Sequence, residues 1–127
     1  MSYAFKAALH SGYVHCFVTG ENSVANMMRF LGDVLTTCVR HECNCVLMED
    51  NFSGPSLKFT DIYGLISQAS EKTWPHIKRI AFMDANPIHS EEKMRFAEMV
   101  ARNRGVLAKF FSDRDEAVLW LQEDYTP

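Results

Sequence analysis

The stretch AFKAALHSGYVHCFVT, Ala4 to Thr19, decides the fold. Ala4 to Leu9 and Tyr13 to Thr19 are strand-type runs, the second rich in β-branched and aromatic residues. His10-Ser11-Gly12 supplies the turn between them. So short a link forces the two strands antiparallel, because a parallel return needs about a dozen residues or more. In the second run Val14, Cys16 and Val18 alternate with Tyr13, His15 and Phe17. Both sets are fairly apolar, which places this strand inside a sheet.

Beyond the hairpin, helices and strands alternate. Thr19-Gly20-Glu21-Asn22-Ser23 breaks the strand, with Asn22 or Ser23 as helix N-cap. Val24, Met27, Met28, Leu31, Val34, Leu35 and Cys38 then recur at helical spacing, an apolar stripe for packing on a sheet. Cys45 to Met48 is a third strand run, ended by Glu49-Asp50-Asn51. Phe52 to Phe59 reads as a loop around Ser53-Gly54-Pro55-Ser56. Thr60 is expected to cap a second helix, with Asp61 in its first turn, Ile62, Leu65, Ile66 and Ala69 facing inward, and Pro75 preventing continuation. Lys78 to Met83 is a fourth strand, closed by Asp84-Ala85-Asn86-Pro87. Ser90, Glu91 and Glu92 begin a third helix, and Gly105 suits its C-terminal exit. Val106 to Phe110 is the last strand. Ser112 and Asp115 form a capping box for a final helix carrying Ala117, Val118, Trp120 and Leu121, and Tyr125-Thr126-Pro127 is expected to fray.

The order is therefore β-β-α-β-α-β-α-β-α: an α/β fold with a mixed sheet and helices packed on it, expected as one domain over residues 1–127. The 13 basic and 16 acidic side chains leave a formal net charge of −3, which gives no electrostatic footprint for nucleic acid. No apolar run approaches the ~20 residues of a membrane span. The first residues carry no charged segment followed by a continuous apolar one, so a cytoplasmic address is expected. Four cysteines, Cys16, Cys38, Cys43 and Cys45, are too few and too clustered for a secreted disulfide scaffold.

The closing stretch RGVLAKFFSDRDEAVLWL, Arg104 to Leu121, resembles the end of the SpoIIAA-like family. There a strand ending in Phe, a capped turn and an Ala-x-x-Trp-Leu helix end are typical. Here these are Phe111, Ser112, Ala117, Trp120 and Leu121. The whole element order is similar to the STAS domain (sulfate transporter and anti-sigma factor antagonist) and to the related Sec14-like lipid-binding architecture. The resemblance implies a compact signalling or ligand-binding module. Antagonists of that class carry an Asp-Ser-Ser-Gly start to the second helix, where one serine is phosphorylated. In LKFTDIYGLI, Leu57 to Ile66, that position falls on Asp61 or Ile62, so the family's switch lacks its serine.

Five constellations carry chemistry worth weighing. Glu49, Asp50, Asp84, His89 and Asp113 follow strands, where convergent carboxylates could hold Mg²⁺ for phosphoryl chemistry; such residues also serve as ordinary caps and Asx-turns, and no phosphate loop accompanies them. Cys38, His41, Cys43 and Cys45 are zinc-type ligands at poor spacing, and buried cysteines behave as small hydrophobes. Ser53-Gly54 lacks the first glycine of a nucleophile elbow and reads as a turn. Lys93, Arg95, Arg102 and Arg104 form a basic set interleaved with Glu91, Glu92 and Glu98, as on a solvated helix. Phe52, Phe59, Tyr63, Trp74, Met94 and Met99 either fill the core or line a pocket or partner face.

The sequence thus favours a non-enzymatic module with no catalytic residue, no metal and no cofactor. It is expected to bind a protein partner, or a second copy of itself, through Ser53, Thr60, Asp61, Tyr63 and Asp84 around the start of the second helix, whose free N–H groups suit an anionic group. The alternative is a carrier of a small apolar or lipid-like ligand. A Mg²⁺-dependent phosphoryl enzyme using Asp50 and Asp84 comes third.

Overall fold

The computed structural model describes residues 2–72 and 77–123. Trp74, Pro75 and the segment Tyr125 to Pro127 lie outside them. Strands β1 (Tyr3–His10) and β2 (Tyr13–Glu21) form the hairpin; α1 (Val24–Arg40), β3 (Cys45–Ser53), α2 (Phe59–Lys72), β4 (Arg79–Asp84), α3 (Glu91–Asn103), β5 (Ala108–Phe110) and α4 (Arg114–Leu121) follow. The five strands lie in sequence order, β1-β2-β3-β4-β5. β1 runs antiparallel to β2, and the remaining pairs are parallel.

That order fixes the layers. The path from β2 to β5 never reverses, so crossovers of a single hand put their helices on one side of the sheet. The packing agrees. Val14, Cys16, Val18, Val46, Met48, Phe52, Ile80 and Ala108 point from the strands into one core with Phe30, Leu31 and Val34 of α1, Ala69 of α2 and Ala101 of α3. A smaller core on the opposite face joins Tyr13, Cys45, Leu47 and Ala81 to Phe111 and to Ala117 and Leu121 of α4. Successive strand residues alternate between these two cores. β2 is interior, as both its faces predict.

Several boundaries depart from the sequence reading. β3 does not stop at Met48; it continues through Glu49, Asp50 and Asn51 to Ser53, paired along this length with β2. A neighbouring strand supplies the backbone partners that the polar residues seemed unable to attract. Phe52 is consequently core, fully buried and edge-to-face with Phe30 at 6.2 Å. α2 begins at Phe59, one residue before the expected cap; Ile62 N–H bonds the Lys58 carbonyl, so Thr60 lies inside the first turn. α4 is capped by Asp113, whose side chain accepts from Glu116 N–H, in place of Ser112. Ser23 and Ser90 cap α1 and α3, and Gly105 follows α3 at φ +83°. The inward face of α1 is rotated from the expected stripe: Val24 and Met28 are exposed, and Phe30 is fully buried.

Candidate functional site

The functional candidate lies on the three-helix face, at the carboxyl ends of β3 and β4. Parity along β3 sends Val46, Met48, Asp50 and Phe52 to this face, and parity along β4 sends Ile80, Phe82 and Asp84 there. Asp50 and Asp84 are directly paired in the ladder. Five residues beyond Asp84, the loop to α3 brings His89 back over the strand ends. One ligand atom from each of Asp50, Asp84 and His89 lies within 4.8 Å of the other two.

A defined hydrogen-bond chain links the three. Asp84 Oδ1 accepts from Asn86 N–H at 2.9 Å, an Asx-turn that shapes the loop. Asp84 Oδ2 lies 2.6 Å from His89 Nδ1. His89 Nε2 lies 2.8 Å from the Gly54 carbonyl oxygen, which can only accept, so Nε2 carries hydrogen. Both the His89 and Asp84 side chains are nearly inaccessible, at 3% and 7%. Asp50 is enclosed beside them. Burial, first, and then the charge and hydrogen bond of Asp84 push its carboxyl well above the ordinary 3.8. Two carboxyl groups this close in a low-dielectric site disfavour double ionisation, so Asp50 keeps its proton to higher pH than a free aspartate does.

Beneath this polar head runs a cavity of about 100 Å³. It extends from Asp50, Asp84 and His89 down between the sheet and the helices, toward Ile80 and Ala108. Its walls are mainly apolar: Leu31 of α1, Met48 and Phe82 of the sheet, Ile62 and Leu65 of α2, Met94 of α3. The β3–α2 loop roofs it with Ser56 and Leu57. That loop is tied from three directions. Asn22 donates to the Pro55 carbonyl at 2.7 Å, His89 reaches the Gly54 carbonyl, and Ser90 N–H donates to Ser56 Oγ at 3.1 Å. Gly54, at φ +93°, permits the turn that a side chain would strain.

No protein-family model matches the chain, and no curated protein matches it in sequence. Solved structures do match. An anti-sigma factor antagonist from Mycobacterium paratuberculosis superposes with a TM-score of 0.56 at 11% identity, covering 95% of each chain. An uncharacterized protein of the DUF3478 family from Shewanella loihica PV-4, described as having a SpoIIAA-like fold, gives a TM-score of 0.54 at 15% identity over 94% of this chain and 93% of that one. The fold is STAS-like.

Within this STAS-like fold the residues singled out by sequence divide between places. Of the acidic set, Asp50, Asp84 and His89 come together. Glu49 points to the opposite face, where it accepts from His15 Nε2 at 2.9 Å and from Arg114 at 2.8 and 3.0 Å. Asp113 is a helix cap. Among the described residues the one grouping with metal-ligand proximity is Asp50, Asp84 and His89. A divalent ion there would have to displace the Asp50 proton and the hydrogen between His89 and Asp84. Cys16, Cys38 and Cys45 are buried, and burial with neighbouring thiols pushes Cys16 and Cys38 up to about 12, far from metal-binding thiolates.

Ser53 is exposed at the end of β3 and donates to the Gly20 carbonyl at 3.1 Å. Thr60, Asp61 and Tyr63 sit on the first turns of α2, Thr60 and Tyr63 exposed. Of the basic set, Arg95 bonds Glu91, Arg102 bonds the Ala108 carbonyl, and Arg104 reaches Ser67 and the Tyr63 hydroxyl of α2, each at 2.9 Å. Lys93 lies over the Phe59 ring. Phe59 also packs edge-to-face on Phe96 at 5.1 Å. No helix among the described residues is long and apolar enough to cross a membrane.

Proposed function

We propose that this chain is a non-catalytic STAS-like binding module whose cavity receives a small, largely apolar molecule. One observation carries this reading: an apolar cavity of about 100 Å³ ends on the Asp50 and Asp84 carboxyls, and no lysine or arginine among the described residues lines it. Ligand pockets combine apolar walls with a few placed polar groups in this way. The position also fits, because ligands of wound α/β sheets collect at strand carboxyl ends. Here the strand order never reverses, so the crevice opens between sheet and helices instead of between diverging crossovers. The polar head is poorly suited to general base catalysis. Both His89 nitrogens are engaged, and both Asp84 oxygens accept from neighbours. The test is an apolar probe of the void. Xenon under pressure is expected to shift the methyl NMR signals of Met48 and Met94 and leave the exposed Met28 and Met99 unmoved. Equal, small shifts at all four methionines would overturn the reading.

A second reading has its own observation. Phe59, Tyr63 and Met99 are exposed large apolar residues on α2 and α3. Together with Ser53, Thr60 and Asp61 they offer a surface for a protein partner or a second copy of the chain. A fold neighbour named as an anti-sigma factor antagonist lends support to a regulatory, partner-binding role. Sedimentation of the wild type against Tyr63→Ala tests self-association through this surface: a dimer lost in the variant supports it, and identical behaviour of the two proteins counts against it.

A further inference from the structure

The cavity has a polar head whose charge bookkeeping narrows the ligand. This inference rests on the cavity reading above and goes on to name a chemical class. The groups facing Asp50 are few. Asp84 and His89 meet it from β4 and the loop that follows, and the Glu49 carboxylate adds a weaker repulsion from the adjacent position on its own strand. Asn22, Ser56 and Ser70 are the other polar residues lining the cavity, and no lysine or arginine among the described residues does so. α1 contributes Met27 and Leu31, and α3 contributes Met94, Ala97 and Ala101, none of them charged.

Hydrogens can be counted from the partners. His89 Nε2–H is fixed by the Gly54 carbonyl, and one hydrogen lies between His89 Nδ1 and Asp84 Oδ2; the pairing of Asp50 with Asp84 at the enclosed strand ends favours a further one on Asp50. Two carboxylates, a neutral ring and two added protons sum to zero. An anionic ligand would put uncompensated negative charge into this buried head. A neutral ligand would leave it unchanged. A monovalent cation can take the place of the Asp50 proton with no change in net charge, and it gains two carboxylate partners in a low-dielectric site.

We propose that the cavity takes a short-chain primary ammonium, its hydrocarbon part against Met48, Leu65 and Met94 and its nitrogen between Asp50 and Asp84. The ammonium N–H groups replace the Asp50 O–H as donors to the two carboxylates, and the displaced proton leaves to solvent. The volume sets the length. About 100 Å³ is smaller than the ~150 Å³ engineered cavity that holds benzene, which corresponds to a chain of about three to five heavy atoms.

The experiment uses n-butylammonium, with n-butanol as its neutral counterpart of nearly the same shape, on the full chain at mildly acidic pH. Binding is followed by the methionine-methyl NMR signals, and proton exchange by calorimetry in two buffers of different ionisation enthalpy. The expected result has three parts. Butylammonium binds at least tenfold more tightly than butanol. About one proton is released per ammonium bound. In Asp50→Asn, which keeps the shape of the neutral acid, ammonium binding falls at least tenfold while butanol binding stays within about twofold.

Equal affinities for the two probes in the wild type would overturn the proposal and leave the cavity reading standing. So would ammonium binding that survives in Asp50→Asn, or a site that takes Mg²⁺ or Zn²⁺ and ignores the amine. Failure of both organic probes and of xenon to reach Met48 and Met94 would instead remove the cavity reading itself, and this inference with it.

Discussion

Glu49 and Asp50 are adjacent in the chain and opposite in circumstance. Glu49 turns toward α4, where the Arg114 guanidinium and the His15 ring both meet its carboxylate. Asp50 turns toward the three-helix face, where another carboxyl meets it and its proton is retained. The same functional group on the same strand becomes a paired anion on one side and a neutral acid on the other. What separates them is strand parity: a period of two sends neighbours to different layers, and each layer supplies different partners. An acidic pair read from sequence as one cluster is therefore two devices. The first ties α4 to the sheet. The second heads a cavity.

This contrast can be broken by mutation, starting with the strongest effect. Asp84→Ala removes the acceptor of His89 Nδ1, of Asn86 N–H and of the Asp50 proton, all in a buried setting. Breaking a buried pair by deleting one member costs about 3–5 kcal/mol, so the urea midpoint should fall steeply. Asp84→Asn should recover part of that loss, because an amide oxygen still accepts. On the other face, Glu49→Ala leaves His15 without its partner. Arg114, whose side chain is 57% exposed, turns to water, so the cost should be nearer 1–3 kcal/mol, about the value of buried hydrogen bonds lost on one side. Equal losses for the two variants would remove the distinction between the faces.

Asp50→Asn should be milder, within about 1 kcal/mol at low pH, because it imitates an acid that is already neutral. Its signature lies in the pH profile. A folded-state carboxyl held above its unfolded value of 3.8 binds its proton more tightly in the native chain. Its stabilising contribution is fully present below 3.8 and is lost as pH rises through the raised folded value. Relative to wild type, Asp50→Asn should therefore gain stability as pH rises from 3.8 to the raised folded value and level off above it, read as thermal midpoints that diverge and then run parallel. Smallest of all, Tyr63→Ala on the exposed side of α2 should change stability by no more than about 0.5 kcal/mol; its value is as a surface probe, and a large destabilisation would mean that the Arg104 hydrogen bond to Tyr63 is holding α2 to α3.

Much of the architecture was legible in the chain. The short link at His10-Ser11-Gly12 determines the hairpin, and the cap signals at Asn22-Ser23 and Ser90 mark the starts of two helices, with Ser23 the residue that caps the first. Where sequence and structure part, a tertiary partner overrides the local chemistry. Glu49-Asp50-Asn51 looks like a strand terminator, yet β4 pairs β3 as far as Asp50 and β2 supplies a ladder that carries it on to Ser53. Met27, Phe30, Leu31, Val34 and Cys38 make a better helical stripe than one drawn through Val24 and Met28, and it is Phe30 that reaches the core. Asp113 outcompeted Ser112 as cap, a one-residue shift that local sequence decides poorly. The site was half visible. Asp50, Asp84 and His89 could have been grouped, and Glu49 excluded, by extending the alternation of β3. The cavity could not, because a void depends on how three helices settle on a sheet and leaves no mark on the residues one at a time.

The central claim is that Asp50 is a buried acid and not a carboxylate. A ¹³C NMR titration of the aspartate and glutamate side-chain carboxyl carbons, with Asp50 assigned through Asp50→Asn, measures it directly. The Asp50 carbon should titrate well above 3.8. An Asp50 midpoint at or below 3.8 would contradict that claim.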